Sequence, residues 1–508
     1  MRGGAVKALK RYTVLALGLM ISGTGFAEDP KLDTPSQQAA PTAFAAEKPQ
    51  PVLQWGIGDG KSHLVPALDI LGFDFLLNQF NRHFIDAQTY GSNFSSFRKN
   101  LTGKWVYDTD PFATNQFLHP YQGAMYHGFA RSAGLDYWHS LGLTVLGSAL
   151  WETAGETDRP SINDQFTTSF GGSFLGEPLF RMASLLLESG GGRPGFWREL
   201  GAAALSPSTG FNRLVYGERF DGVFRSNNPA VYTRVQLGVN VNASVNSNVN
   251  VNPNTDQAAI PQSYRKGEGI ADFTIAYGLP GKPDYSYTRP FDYFHFQFTA
   301  ASSNIFENVI SRGLLYGTDY SLGDNQRGVW GLYGTYDYIA PQIFRISTTA
   351  ASLGTTAQWW LSRTVALQGT ALIGAGYGSA GTIHGVGQRD YHNGISPLAL
   401  VTSRLIFADR ATLELELRDY YVSDLASGES GGSENIARAV ASVTVRMYDL
   451  HGVTLKYTGS RRDARYLNLP DTRQTVGTIS LGYTYLGQTR FGAVDWRPKG
   501  AGEEGGPL

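Results

Sequence analysis

From Ala230 to the end of the chain, short runs alternate strictly between apolar and polar residues, and turn residues separate them. Alternation of period two puts successive side chains on opposite faces of a strand. Val231, Thr233, Val235, Leu237, Val239 and Val241 therefore share one face, with Tyr232, Arg234, Gln236, Asn240 and Asn242 on the other. One face suits lipid and the other water, which predicts a transmembrane antiparallel β-barrel. Beyond residue 217 about twelve strands can be counted, an even number as single-chain bacterial barrels have. Phe294, Phe296 and Phe298 should point outward and His295, Gln297 and Thr299 inward; Leu413, Leu415 and Leu417 outward and Glu414, Glu416 and Arg418 inward. Ala439, Ala441, Val443 and Val445, opposite Arg438, Ser442, Thr444 and Arg446, repeat the pattern. Ala408-Asp409-Arg410 and Ser362-Arg363 read as short turns at one rim. Gly381 to Asn393, Ser423 to Glu434 and Ser460 to Arg473 read as longer loops at the other, and the Val/Asn-rich Gly238 to Asn254 as a strand running into a loop.

The barrel accounts for only part of 508 residues, so a second unit is expected. Arg2, Lys7, Lys10 and Arg11 precede the apolar Val14 to Ile21 and the small-residue site Gly25-Phe26-Ala27, which reads as a signal peptide, residues 1–27. Residues 28–52, rich in Pro, Ala and Gln, read as a disordered leader, and 497–508 as a flexible tail. The barrel would then occupy 216–496. Between them, residues 53–215 change to helical spacing, for four or five helices, giving an α+β chain with an N-terminal helical module. Zero cysteines exclude a lipoprotein anchor, disulfides and thiolate metal sites. A net charge of −1 offers nothing to nucleic acid. The longest apolar helical stretch, Leu141 to Trp151, is well short of the roughly 20 residues a lone spanning helix needs.

The helical module carries the densest chemistry. Ser140, Thr144, Ser148, Glu152 and Glu156 recur every four residues and make a polar stripe on an apolar cylinder. Gly123, His127 and Arg131 form a second stripe, and Asp74, Asn78, Arg82 and Asp86 a third. Such stripes satisfy one another when helices pack in a dry environment. Ser161, Asn163 or Asp164 can cap a helix, Gly172 and Gly176 allow another helix to approach closely, and Glu177 and Arg181 stand at ion-pair spacing. A paired structural network accounts for these residues most simply. The competing reading gives Glu152, Glu156 and His119 or His127 acid–base or metal work, though no HExxH or ExxH motif supports a metal. No cofactor is implied, and no serine can be placed with a histidine and an acid.

Asp110-Pro111-Phe112, then Asn115 to Tyr126, Ala130 to Gly134, Gly147 to Glu152, Gly155-Glu156, Pro160 to Asp164 and Gly171-Gly172 with Leu175-Gly176-Glu177 occur in that order. Over about Trp105 to Glu188 this resembles domain-of-unknown-function family 3943. The resemblance implies an outer-membrane or periplasm-facing protein of Gram-negative bacteria with no established reaction. It singles out His119, Tyr121, Arg131, Glu152, Glu156, Asn163, Asp164 and Glu177 as motif positions.

Two functions follow as expectations. In one, the module is a lumen plug or periplasmic platform of an outer-membrane barrel in envelope transport or maintenance. In the other, the protein is an outer-membrane enzyme acting on lipid or lipopolysaccharide through Glu/His chemistry. The expected partners are outer-membrane lipid, lipopolysaccharide and the barrel-assembly machinery.

Overall fold

The computed structural model describes residues 53–108, 110–191, 194–249, 267–341, 343–382, 391–423, 432–466 and 471–496. The expected signal peptide, leader and tail lie outside them. Twelve strands, β1 Val231–Val249 to β12 Thr472–Leu486, close into an antiparallel barrel in which each strand pairs with its neighbours in sequence and β1 pairs with β12. The remaining strands are β2 Gly267–Tyr277, β3 Phe294–Ala301, β4 Asn308–Leu322, β5 Gln326–Ile339, β6 Phe344–Trp360, β7 Val365–Thr382, β8 Tyr391–Phe407, β9 Ala411–Ser423, β10 Gly432–Tyr448 and β11 His451–Tyr466. Closure leaves no unpaired edge, the condition for a sheet to stand in lipid.

The inward and outward sets follow the alternation. Val235, Val239, Leu415, Leu417, Leu455 and Leu481 are exposed on the outer wall. Arg234, Glu414, Glu416, Arg438 and Lys456 line the interior. Three expected loops are shorter than the sequence suggested: β11 runs to Tyr466 and β12 starts at Thr472, so most of Ser460 to Arg473 is strand. Likewise β7 and β8 reach Thr382 and Tyr391, and β10 begins at Gly432. Gly238 to Val249 belongs to β1, with Asn240 and Asn242 turned into the lumen; the rest of that Val/Asn run lies outside the described residues. Polar composition marks a lumen-facing strand position as readily as a loop.

The lumen is filled. A charged waist is crossed by Arg234–Glu414, 2.7 Å between β1 and β9, and Arg418–Asp337, 2.9 Å between β9 and β5. It retains a cavity of about 170 Å³. Buried apolar side chains lie on either side of it: Leu372, Leu400, Ile406 and Leu486 toward the short-turn rim, Ile346, Leu398, Ile436 and Val476 toward the long-loop rim. After β12 the chain turns back across the short-turn mouth. The Val494 carbonyl accepts from Gln358 Nε2 (2.6 Å) and Trp360 Nε1 (3.0 Å), the Gly492 carbonyl from Gln368 Nε2 (2.8 Å), and Phe491 and Val494 are buried beneath.

The helices are α1 Leu64–Phe84, α2 Phe94–Thr102, α3 His119–Ser132, α4 Tyr137–Leu150, α5 Ile162–Phe166, α6 Gly172–Glu188, α7 Phe196–Leu205 and α8 Pro207–Tyr216. The Gly190 to Gly195 stretch is thus followed by two further helices. Asp136 caps α4 by accepting from the amides of Trp138 and His139, and Ser161 caps α5. Single π-helical turns, Thr114–Leu118, Trp151–Gly155 and Thr167–Gly171, lead into α3, extend α4 and join α5 to α6.

The module is neither in the lumen nor beneath it. It packs against the outside of the wall: Ser311 donates to the Phe174 carbonyl (2.5 Å), Tyr336 to the Gln116 carbonyl (2.6 Å) and Tyr391 to the Asp110 carbonyl (2.6 Å). Ser311 and Tyr336 are cross-strand partners on the face opposite Ile310 and Arg312, which line the lumen. Phe112, Phe117, Phe174 and Leu175 share one apolar core with Phe294, Phe296, Val309 and Tyr338 of that outer face. This corrects the expectation of a plug or platform. The lumen is already occupied by its own side chains, and the aromatic outer face of β2 to β5 is the surface that apolar helices complement.

Candidate functional site

Two polar clusters lie inside the helical bundle. The lower one is centred on Glu177 of α6, which is fully buried. Its carboxylate accepts from Arg131 Nε (2.7 Å) and Nη2 (3.1 Å), from Arg181 Nε (2.8 Å) and from His127 Nε2 (3.0 Å). Arg181 continues to Asp292 Oδ1 (2.9 Å) and the Pro290 carbonyl (2.5 Å), in the connection between β2 and β3. Arg131, Arg181 and Arg289 all place their guanidinium groups within 5.0 Å of the Phe224 ring centroid. Glu177 and the guanidinium groups of Arg131 and Arg181 are thus mutually paired, which fastens helix to helix and module to barrel, while His127 Nδ1 is buried without a partner.

The close approach of α3 and α6 depends on glycine. A Cβ on Gly172 would lie 2.6 Å from the Gly123 Cα, and one on Gly176 3.0 Å from that of Ala124. That proximity brings His127 and Arg131 to Glu177.

The upper cluster lies at the other end, where all three π-turns converge. It holds Asp108, Asp110, Glu152, Glu156 and Asp164, and among the described residues none of these forms an ion pair. Glu152 accepts from the Ser161 amide (2.7 Å), and Glu156 from Trp151 Nε1 (3.0 Å). Asn163 donates to Asp164 (3.0 Å) and accepts from the Asp108 amide (2.9 Å). Asn115 donates to Asp108 and to the Tyr391 hydroxyl (2.9 Å), so the outer wall reaches this cluster too. His119 Nδ1, Asn115 Oδ1, Gln116 Nε2 and Ser148 Oγ are buried without a hydrogen-bond partner. Burial and the neighbouring Asp108 carboxylate push Asp110 up to about 6. Burial and then Asp110 push Glu156 up to about 8. Glu156 therefore holds a proton at neutral pH and Asp110 gives its proton up just below it, on either side of the pH at which an acid or base works. Among the described residues no three His, Asp or Glu side chains converge as a metal would require.

Of the residues picked from sequence, Glu152, Glu156, Asn163, Asp164 and His119 belong to the upper cluster, and His127, Arg131, Glu177 and Arg181 to the lower. The two histidines are thereby separated, and His127 is committed to Glu177. Tyr121 joins neither; it stacks 6.3 Å from Phe117 at the surface. In the third stripe Asp74 and Asn78 are buried while Arg82 and Asp86 are exposed. Asp108, Asn115, Asp292, Phe224 and Tyr391 were not picked as site positions. All but Asn115, which sits in the π-turn before α3, lie in connections or on strands, where helical spacing carries no signal.

The family model described as "Domain of unknown function (DUF3943)" matches residues 104–208. The resemblance is therefore real. The DUF3943 segment holds both clusters except for their barrel-side partners, and its boundaries enclose α3 to α7. No curated protein matches the chain. Solved structures match about half of the chain. The NanC porin shares 7% identity over 49% of this chain and 98% of its own, at a TM-score of 0.24. The toluene transporter TodX of Pseudomonas putida shares 9% over 51% and 90%, at 0.21. The outer membrane protease OmpT of Escherichia coli shares 7% over 52% and 100%, at 0.20. Likenesses this slight carry no argument about activity.

Glu177→Ala is expected to cost about 3–5 kcal/mol, because it leaves the buried Arg131 guanidinium without a carboxylate and Arg181 with Asp292 alone, and to lower the urea midpoint of unfolding accordingly. A raised carboxyl pKa means that the folded state binds the extra proton, so stability falls as pH rises. For Glu156 the loss should run from about 4.5 to about 8. Thermal midpoints measured across that window should decline, and Glu156→Gln should flatten the slope.

Proposed function

We propose that this is a Gram-negative outer-membrane protein whose barrel is a closed anchor and whose DUF3943 segment carries the activity, in maintenance of the envelope. One observation supports this above the others: the lumen holds a bridged, charged waist between two apolar layers, and residues 487–496 lie across one mouth. A solute would have to break Arg234–Glu414 and Arg418–Asp337 and displace packed side chains. The outward apolar wall and the exposed Trp330, Trp359, Phe407 and Tyr448 near the short-turn rim match the lipid belt and aromatic girdle of a spanning barrel. Outer-membrane lipid and lipopolysaccharide are its surroundings in this reading, and the barrel-assembly machinery its route of insertion. Purified protein in planar bilayers should show no conductance steps; regular steps from the unmodified chain would overturn the closed-anchor reading.

The upper cluster favours a second reading, an enzyme acting on lipid or lipopolysaccharide, because its carboxyls titrate near neutrality and His119 is left unpaired. Glu152→Gln should then alter envelope lipid composition without loss of folded protein. Unchanged lipids with normal folding would sink it.

A further inference from the structure

The outer helices of the module have their polarity reversed. On α1 the residues turned into the bundle are Pro66, Ile70 and three polar ones, Asp69, Asp74 and Asn78, each of the three exposed by 8% or less. The residues turned out are Leu64, Leu68, Leu71, Phe75, Leu76 and Phe80, with Phe75 and Leu76 at 63% and 66%. Between Leu64 and Phe80 no exposed position of α1 is charged or polar. Helix α4 repeats the arrangement: Ser140, Thr144 and Ser148 are buried while Leu146 is 65% exposed. A water-soluble helix does the opposite. These exposures lie within the range of the barrel's own outer residues, from 37% for Leu413 to 70% for Ile373.

Position decides what covers this face. Arg181 meets Asp292 in the β2–β3 connection on the short-turn side, Trp138, at the start of α4, stacks at 5.2 Å on Tyr316 in the half of β4 nearer that side, and Asp110 meets Tyr391 at the long-loop rim. The module therefore spans the height of the wall, and its outer helices continue the surface that β1 and β7 to β12 present. From Leu64 to Phe80 the apolar stripe is roughly 24 Å long at about 1.5 Å per residue, against a barrel belt about 25 Å tall. Charged and amphipathic residues resume only at its ends: Lys61, His63, Asp136 and His139 at one, Arg82, His83 and Asp86 at the other. Trp138 sits at the first of these levels, where membrane proteins place aromatic anchors. No helix among the described residues is apolar enough around its whole circumference to cross a membrane. Here the polar side of each helix is spent on the bundle interior, so apolarity averaged along the sequence does not register it.

We infer that the helical module is immersed in the bilayer beside the barrel, with the outer faces of α1 and α4 covered by lipid acyl chains. The inference rests on the barrel spanning a membrane. It makes the upper cluster, at the long-loop rim, a polar site bordered by lipid.

The chain lacks cysteine, so single substitutions can report on each face. Leu71→Cys, Phe75→Cys and Leu146→Cys test the module, Leu415→Cys the barrel wall and Asp324→Cys, in a short turn, the aqueous level. Each full-length variant, shown to be folded by its heat-dependent gel mobility, carries an environment-sensitive fluorophore in phosphatidylcholine nanodiscs with or without brominated acyl chains. Separate unlabelled samples are treated with a water-soluble maleimide. The three module positions should be quenched to within about twofold of Leu415→Cys, and should label with maleimide at least tenfold more slowly than Asp324→Cys. Quenching at Leu415→Cys alone, with the module positions labelling as fast as Asp324→Cys, would overturn the inference and leave the barrel reading intact. Module positions neither quenched nor labelled, in a particle with the mass of a dimer, would overturn it in favour of a second copy. Absence of quenching at Leu415→Cys would reject the spanning barrel itself, and the inference with it.

Discussion

A sheet has unpaired backbone groups at its edges, and closing it into a ring, which removes those edges, is the constraint on which the rest of this structure depends. Pairing β1 with β12 satisfies the sheet completely. Once the ring is closed, inward side chains have only each other as partners. Arg234 finds Glu414 and Arg418 finds Asp337, apolar residues fill the levels above and below, and the segment after β12 covers one mouth. A filled interior leaves the outer wall as the surface on which the helices can dock.

The docking is specific because polar groups fix it. Glu177 accepts from two helices at once, and Arg181 extends the network to Asp292 of the barrel. Glycines at 123, 172 and 176 allow the separation this requires. The upper cluster differs in kind: it gathers carboxylates without ion-pair partners and leaves His119 Nδ1 and Asn115 Oδ1 unsatisfied. Buried carboxylates are normally paired, so a group of them without ion-pair partners beside three π-turns is what favours this end of the bundle as the candidate site.

Much of the barrel was legible because strand side chains repeat every two residues and a barrel gives the two faces different solvents. Phe294 against His295 and Leu415 against Glu416 need no knowledge of distant residues to be assigned. The polar stripes of the helices were legible for the same kind of reason, and so was the pairing of Glu177 with Arg181 one turn away. Strand ends were read less well: Asn240, Asn242 and Arg462 resemble loop residues, because a polar lumen and water select the same composition. Asp108 and Tyr391 gave no periodic signal, as each acts from a connection or a strand end.

By itself the sequence determined the periodicities: a two-faced sheet large enough to close and helices polar on one side, within a chain that lacks cysteine. Which way those helical faces turn was decided only by tertiary structure. A stripe of Asp69, Asp74 and Asn78 opposite Leu68, Leu71 and Phe75 is equally compatible with a helix in water and one in lipid. Only docking on the outer wall, with the polar side spent on neighbouring helices, sets its orientation, because amphipathicity fixes the angle between two faces and not the solvent that each one meets.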